Sequence, residues 1–394
     1  MQLDTNRVKT SPKNIRVVFI TTSLTTGGAE MMLYKFLSRI DRQKFSPTVI
    51  SMISGGVFVE RVKALDIPVH DLGMQQGVPS LSALRKLNRL LNEIKPDLIQ
   101  GWMYHANLIS YVANILSKRK VPLIWSIHHS IDSLKAEKLS LAAVIKMTAL
   151  FSSQVDTVVV SAKKGLKQHI NIGYNPHNAI AISDNFDLSR YKPIDEPSNL
   201  RQTLNLPEDA ILIGSVARYH PMKDHANLID AAAEIVKDYP NLHFVTIGPS
   251  VDVQNAALTE QIERLGIAER IHLLGERQDI PSLMTSFDIF TSSSAYGESF
   301  PNVLGEAMSC QVPCVATDIG DSQAIIGDTG IVVPPRDPQA LATAWRKLVD
   351  LSREERHELG LKARKRIQDN FNLDSSNSFV RKYESIYQVA VASE

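Results

Sequence analysis

The stretch from Ile15 to Glu30, IRVVFITTSLTTGGAE, contains the pattern that decides the fold. Its first seven residues are mostly apolar or β-branched without regular alternation, which predicts a strand buried on both faces of a sheet. Gly27 and Gly28 then form a turn that lets the backbone approach a ligand closely, and a helical pattern follows over Ala29–Ile40. A buried strand, a turn and a helix in this order form the repeating unit of a parallel α/β sheet.

The unit recurs along the whole chain, which predicts two α/β domains with doubly wound parallel sheets. In the first half, further strands are predicted at Pro47–Met52, Val69–Asp71, Asp97–Gln100, Leu123–Ile127 and Thr157–Ser161, with helices at Leu81–Glu93, His105–Ser117 and Leu134–Phe151. In the second half, strands are predicted at Ile211–Ala217, Leu242–Ile247, Ile271–Leu274, Ile289–Thr291, Cys314–Ala316 and Ile331–Val333, with helices at His225–Asp238, Asn255–Leu265, Ile280–Ser286, Asn302–Ser309, Gln339–Asp350 and Ser376–Val391.

A polar segment from about 185 to 207 separates the two halves. It contains Pro193, Pro197 and Pro207, which is typical of a connector. We therefore predict a flexible tail over 1–13, a first domain over 14–188, a second domain over 189–373 and a closing helix at about 374–394.

The composition is that of an ordinary globular protein, with 44% hydrophobic and 22% charged residues among 394. Two cysteines, Cys310 and Cys314, exclude a disulfide framework and make a poor zinc site, so a reducing cytoplasm fits. The residues before Ile15 are polar and contain no apolar core segment, so we expect no signal peptide. No run approaches the roughly 20 apolar residues that span a bilayer.

Charge is divided unevenly between the halves. Residues 1–190 hold 24 Lys and Arg against 13 Asp and Glu, whereas residues 191–394 hold 19 against 29. A basic half can meet nucleic acid, anionic lipid or an anionic substrate, but the interleaved aromatic residues of a single-strand binder are missing, so we expect no nucleic acid. Helix Leu134–Phe151, with Lys135, Lys138 and Lys146, predicts either contact with a membrane surface or a buried packing helix with extended lysines.

Glu298 and Glu306 stand eight positions apart where a predicted strand and polar turn lead into a helix. Free amides at such a helix start attract an anion such as phosphate. A carboxylate one turn into the helix would repel phosphate, which suggests that Glu306 holds a neutral group such as ribose hydroxyls. The alternative is a surface helix with two solvated acids.

Other candidate side chains follow strand ends, where open α/β sheets bind ligands. Arg218 and Lys223 follow one strand and can clamp a diphosphate. His128 and His129 follow another, and either ring could face the cleft, although a lone strand-end histidine such as His129 usually packs or caps. No D-x-D pair follows a strand, so no metal is invoked, and the Gly27-Gly28 turn is not the G-x-G-x-x-G of a dinucleotide site.

Together these motifs resemble the family-4 retaining glycosyltransferases, in particular members that build bacterial surface polysaccharides. The matching motifs are the Gly27–Glu30 turn, the strand-end His128, the R-x4-K of Arg218 and Lys223, and the E-x7-E of Glu298 and Glu306. The resemblance implies the GT-B fold, in which two Rossmann-like domains face each other across a cleft and the C-terminal helix crosses back to the first domain.

The resemblance also implies roles. Arg218 and Lys223 would neutralise the donor diphosphate, Glu298 and His128 would contact the transferred sugar, and these four form the predicted catalytic set. The predicted nucleotide-sugar contacts comprise Gly27, Gly28, Arg218, Lys223, Gly248, Arg277, Ile280, Glu298, Phe300, Pro301, Asn302, Val303 and Glu306. The family's E-G-F-G motif departs here at Ser299 and Pro301, and Pro301 removes one amide that could bind phosphate.

The resemblance therefore implies a metal-independent, retaining hexosyltransferase without a cofactor. Its donor would be a nucleotide-sugar, most simply UDP-glucose, and its acceptor a glycan or a polyprenyl-diphosphate-linked sugar at the cytoplasmic face of a membrane. Alternatives with the same fold are a nucleotide-sugar epimerase, a glycogen-type synthase or phosphorylase, and a non-catalytic nucleotide-sugar sensor. The sequence leaves open the sugar, the nucleotide, the acceptor, the linkage and the oligomeric state.

Overall fold

A computed structural model describes residues 14–25, 27–75, 80–117, 119–131, 133–194 and 199–393. The predicted tail over 1–13 and Pro197 of the predicted connector lie outside these residues. The described chain forms two parallel sheets with helices and apolar cores on both faces of each, which confirms the predicted α/β class.

The first sheet has seven strands in the order β3-β2-β1-β4-β5-β6-β7. Because β1 pairs with both β2 and β4, the strand order reverses there, and the Gly27-Gly28 turn lies at this switch point. The strands are β1 (Ile15–Thr21), β2 (Phe45–Ser51), β3 (Val69–Asp71), β4 (Leu98–Trp102), β5 (Leu123–Ile127), β6 (Thr157–Val160) and β7 (Ala179–Ala181). The helices between them are α1 (Gly28–Leu37), α2 (Val57–Lys63), α3 (Leu81–Ile94), α4 (Tyr104–Leu116), α5 (Leu139–Phe151) and α6 (Lys163–Ile172).

The second sheet has six strands and the same kind of reversal, in the order β10-β9-β8-β11-β12-β13. The strands are β8 (Ile211–Val216), β9 (Leu242–Ile247), β10 (Ile271–Leu273), β11 (Ile289–Ser292), β12 (Cys314–Thr317) and β13 (Gly330–Val333). The helices are α7 (Leu200–Thr203), α8 (His225–Ile235), α9 (Ala256–Leu265), α10 (Ile280–Met284), α11 (Asn302–Ser309), α12 (Ser322–Ile326), α13 (Pro338–Val349), α14 (Arg353–Asn370) and α15 (Phe379–Ala392).

The chain crosses between the sheets twice, and the two crossings are bonded to each other. The Phe186 amide donates to the Phe371 carbonyl at 2.8 Å, and the Leu373 amide donates to the Phe186 carbonyl at 3.0 Å. After the second crossing, α15 packs on the first sheet, where Tyr383 and Tyr387 lie in the same apolar core as β1. No helix in the described ranges combines the length and hydropathy needed to cross a bilayer.

One predicted helix is wrong, because the structure divides it into two elements. The segment Leu134–Phe151 forms a 3-10 turn over Leu134–Ala136 and then α5, which begins at Leu139. Glu137 and Lys138 between them have extended backbone, and the Glu137 carboxylate bonds His129. The elements not named in the prediction are strand β7 and helices α2, α6, α7, α12 and α14.

Candidate active site

The two predicted cations follow β8 in the second domain. Arg218 is exposed, and a 3-10 turn over Pro221–Lys223 leads into α8. Asp224 adopts a left-handed backbone with φ of 51°, and its carboxylate accepts a 3.3 Å hydrogen bond from the Asn227 amide. This cap fixes Lys223 at the start of α8.

Lys223 and Glu298 form an ion pair in which both side chains are mostly buried. The same carboxylate oxygen of Glu298 accepts a 3.1 Å hydrogen bond from Ser294 Oγ, and Ser293 Oγ donates to the Lys223 carbonyl at 2.9 Å. The structure thus brings together the cation predicted for the diphosphate and the carboxylate predicted for the sugar. Arg218, by contrast, makes no ion pair with any described residue.

The loop after Glu298 presents its backbone and buries its aromatic ring. Phe300 lies 5.7 Å from each of the rings of Phe186 and Phe371, measured between centroids. Its side chain therefore belongs to the core beneath the crossings, and only its backbone is available for the predicted ligand contact. Pro301 precedes α11, whose first amides, including those of Asn302 and Val303, have no acceptor within the helix.

Glu306 lies on α11 beside the first crossing. Its carboxylate is hydrogen-bonded with the Tyr191 phenol, and Lys35 and Arg190 supply positive charge nearby. Burial of the carboxyl group is the largest influence and raises the pKa of Glu306 above its ordinary value, although the residue as a whole is only partly buried. The predicted contact of Glu306 with ribose stays a prediction, and it would have to share the carboxylate with Tyr191.

Gly248 directly follows β9, and Arg277 and Ile280 follow the neighbouring strand β10 by four and seven residues. Gly248 has φ of +154°, and a Cβ there would approach the Ala217 carbonyl oxygen to 2.1 Å, so the site requires glycine. The exposed Arg277 side chain bonds Asp279 at 2.9 and 2.7 Å, which leaves its backbone for the predicted contact with a base. Ile280 begins α10 and is partly buried.

In the first domain, the paired glycines differ in their surroundings. A Cβ on Gly27 would collide with the Glu30 carboxylate at 2.2 Å, and Ser23 Oγ holds that carboxylate with a 2.9 Å hydrogen bond. A Cβ on Gly28 would meet no atom within 4 Å. Gly27 therefore makes room for the chain's own carboxylate, whereas the open space is beside Gly28.

His128 is enclosed at the end of β5. Its ring stacks on the Trp102 indole with centroids 4.6 Å apart, and its Nδ1 lies 3.6 Å from Asp184 Oδ1. The side chain is 6% exposed, and neither ring nitrogen has a hydrogen-bond partner among the described residues. The structure therefore provides the predicted sugar-contacting histidine with two unsatisfied ring nitrogens.

His129 faces the opposite domain. Its Nε2 bonds Glu137 Oε1 at 2.9 Å, and this hydrogen bond is the main reason why the pKa of Glu137 lies below its ordinary value. The side chain is 22% exposed, and its Cε1 lies 3.8 Å from the position of a Cβ on Gly297, next to Glu298. Glu137 belongs to no motif, so nothing in the sequence indicated it as the partner of His129.

The two domains also touch directly beside Glu298. Ser161 Oγ and Ser299 Oγ lie 2.8 Å apart. The Asp321 carboxylate accepts hydrogen bonds from the Lys163 and Lys164 amides at 2.8 and 3.1 Å, so a residue of the second domain caps α6 of the first. The described structure is therefore a closed arrangement of the two domains.

Two Rossmann-like domains that face each other with strand-end loops, cations on one side and histidines on the other, define the GT-B class of glycosyltransferase. Two family models match the chain: "Glycosyltransferase Family 4" over residues 26–190 and "Glycosyl transferases group 1" over residues 197–366. Because the two models together match most of both domains, the chain belongs to the family-4, group 1 glycosyltransferases, as its motifs predicted.

Several relatives support this assignment. The chain is 33% identical over 190 residues to D-inositol 3-phosphate glycosyltransferase of Corynebacterium urealyticum, a match that covers 45% of this chain and 45% of that relative. It is 20% identical over 355 residues to the UDP-Gal:alpha-D-GlcNAc-diphosphoundecaprenol alpha-1,3-galactosyltransferase of Escherichia coli, covering 87% and 90% of the two chains. Among solved structures, Anabaena Alr3699/HepE in complex with UDP is 25% identical, with a TM-score of 0.80 over 94% of this chain and 100% of that one.

Proposed function

We propose that this glycosyltransferase moves a hexose from a UDP-hexose, such as UDP-glucose, to a hydroxyl group with retention of configuration and without a metal. The observation that carries the proposal is the Lys223–Glu298 pair, which lies at strand ends beside the histidine-bearing wall of the first domain. The UDP in the Anabaena structure and the UDP-Gal in the name of the E. coli relative support this donor class.

The reaction breaks the bond between the sugar C1 and a diphosphate oxygen and forms a bond between C1 and the acceptor oxygen. Negative charge develops on the diphosphate, and the exposed Arg218 and the paired Lys223 can neutralise it. Positive charge develops on the sugar ring, where the Glu298 carboxylate can stabilise it. Since Lys223 already bonds Glu298, one ammonium group would lie between the leaving group and the sugar.

In a retaining transfer of this kind, the acceptor hydroxyl attacks from the face that the diphosphate leaves. The departing phosphate oxygen takes the hydroxyl proton, so the reaction needs no protein base. His128 has the unsatisfied ring nitrogens to bind a sugar hydroxyl once the cleft opens for the donor. Glu306 is the proposed ribose contact, and the amides of Asn302 and Val303 the proposed phosphate contacts.

The proposed acceptor is a lipid-linked or polysaccharide-repeat glycan at the cytoplasmic face of a bacterial membrane. The name of the E. coli relative includes a diphosphoundecaprenol acceptor, and the first domain of this chain carries the excess of positive charge. Peripheral contact with that membrane belongs to the same proposal.

A thermal-shift series with UDP-, GDP- and ADP-sugars tests the donor, because a ligand raises the melting temperature with the logarithm of its concentration over Kd. We expect a UDP-hexose to stabilise most, in buffer with EDTA as well as with Mg²⁺. NMR of the product should then show the same anomeric configuration as the donor. Stabilisation by none of the nucleotide-sugars would contradict the proposal, and an epimer formed from the donor alone would favour an epimerase.

A further inference from the structure

Helix α5 carries an apolar stripe on its outer surface. Leu139 is 90% exposed, Leu150 is 72% exposed, and Met147 is also exposed. With the exposed Ala143, these residues follow the spacing i, i+4, i+8 and i+11, so they lie on one face about 16 Å long.

The stripe is distinct from the face of α5 that packs on the domain. That inner face is formed by Ile145, Thr148 and Ala149, which are buried. At the end of the helix, the Phe151 ring stacks on Tyr111 of α4 with centroids 4.7 Å apart. One turn beyond Tyr111, Ile115 is exposed and extends the apolar surface. A helix with a satisfied inner face and an apolar outer face is built to contact something further.

The charged residues of α5 and its N-terminal flank from Lys138 onward are all lysines. Lys135, Lys138 and Lys146 are exposed, and the sequence contains no acidic residue from Lys138 to Val155. Glu137, the acid next to Lys138 in sequence, is hydrogen-bonded to His129. Apolar side chains flanked by lysines suit a surface whose interior is apolar and whose headgroups are anionic.

The position of the stripe relates it to the cleft. Leu139 begins α5 two residues after Glu137, which holds His129 against the Gly297 turn. A surface in contact with α5 would therefore lie beside the mouth of the cleft, within reach of an acceptor anchored in it.

We propose that the outer face of α5, formed by Leu139, Ala143, Met147 and Leu150 with Lys138 and Lys146, docks on the surface of an anionic bilayer. The inference rests on the proposed function in that it supplies the contact through which a lipid-linked acceptor would be reached. It names a surface that can be tested without turnover.

Flotation with phosphatidylcholine vesicles, with and without phosphatidylglycerol, tests the surface. We expect the wild-type protein to float with the anionic vesicles and the double variant Leu139→Ser/Leu150→Ser to lose at least about tenfold in partitioning. Lys138→Gln/Lys146→Gln should lose about tenfold on anionic vesicles only. Val253→Ser, at a 75% exposed position of the second domain, is the matched control and should float like wild type.

The proposal is overturned if the wild-type protein does not float, if the leucine variant floats equally well, or if neutral vesicles bind as well as anionic ones. It is also overturned if light scattering shows a dimer that the leucine variant dissociates, since a second copy would then cover the face. Unchanged melting temperature and UDP stabilisation show that each variant is folded. Flotation without UDP stabilisation would instead contradict the proposed function and leave the bilayer contact standing.

Discussion

The two walls of the cleft are built from different chemistry. On the second-domain wall, Lys223 and Glu298 neutralise each other, and Ser294 bonds the carboxylate. On the first-domain wall, His128 is stacked on Trp102 without hydrogen bonds, while its neighbour His129 is already held by Glu137. The charged wall is thus assembled before a ligand arrives, whereas the histidine wall keeps unsatisfied groups that a ligand can use.

The charged wall should give the largest effect. We expect Lys223→Ala to lower kcat by about 100- to 1000-fold, because it removes a preorganised cation from the leaving group and leaves the Glu298 carboxylate unpaired. The measurement is UDP release at saturating donor, with the exposed Lys237→Ala on the same domain as control. A loss of less than about threefold would show that Arg218 alone serves the diphosphate.

Substitutions of the two histidines should then differ in how much they lower kcat. His128→Ala is expected to lower kcat about 100-fold, since its free ring nitrogens are the predicted sugar contacts. His129→Ala and Glu137→Gln should each cost only about five- to tenfold, the value of one hydrogen bond that positions a ring. The reverse order would move the sugar contact from His128 to His129.

A buried histidine lies behind each wall, and both should make the free energy of unfolding depend on pH in the acid range. Burial lowers the pKa of His225, behind Lys223, to about 4, and burial likewise lowers the pKa of His169, which bonds Tyr104 behind His129, to about 4. Because the unfolded rings titrate near pH 6.5, the unfolded state binds protons first as the pH falls. The contribution of each buried ring to the free energy of unfolding should be fully present above about pH 6.5. It should fall towards pH 4, with a loss of about 2 kcal/mol per ring at pH 5.

Urea unfolding at pH 7 and pH 5 measures this loss. In His225→Gln and His169→Gln, the difference between the two pH values should shrink, in each case for the domain that carries the change. Identical pH profiles in the wild type and both variants would contradict the assignment.

The smallest effect should come from the contact between the walls. Asp321→Ala removes the cap of α6 and should cost about 1 kcal/mol, seen as faster hydrogen exchange of the Lys163 and Lys164 amides. Asp318→Ala breaks only the exposed pair with Lys164 and should change exchange very little. Equal exchange in both variants would show that the domains are not held closed through Asp321.

Much of the fold could be predicted from the sequence, because buried parallel strands are continuous apolar runs. β1, β3, β5, β9 and α11 begin and end as predicted. Helix α14 was missed since its sequence, REERHELGLKARKRIQDN, has no clear apolar stripe and buries few residues. The break before α5 was missed because no local pattern marks it; the Glu137 carboxylate at the break bonds His129, eight positions away.

The candidate site was predictable only where its residues form motifs. Arg218, Lys223 and Glu298 stand in recognisable spacings, and the structure places Lys223 against Glu298. The partners Tyr191 and Asp321 meet Glu306 and α6 through the domain crossing and the domain interface, which no local pattern records.

The packing of α15 on the first sheet also bears on the order in which the protein is made. The Phe36 ring contacts those of Phe379, Tyr383 and Tyr387, so residues synthesised after the second domain complete the core that the first strands begin. During synthesis, all six strands of the second domain have been made before α15, the helix that the first domain still lacks. The nascent first domain must therefore wait with an open apolar face, and a chain that stops before Phe379 would keep that face exposed to chaperones and proteases.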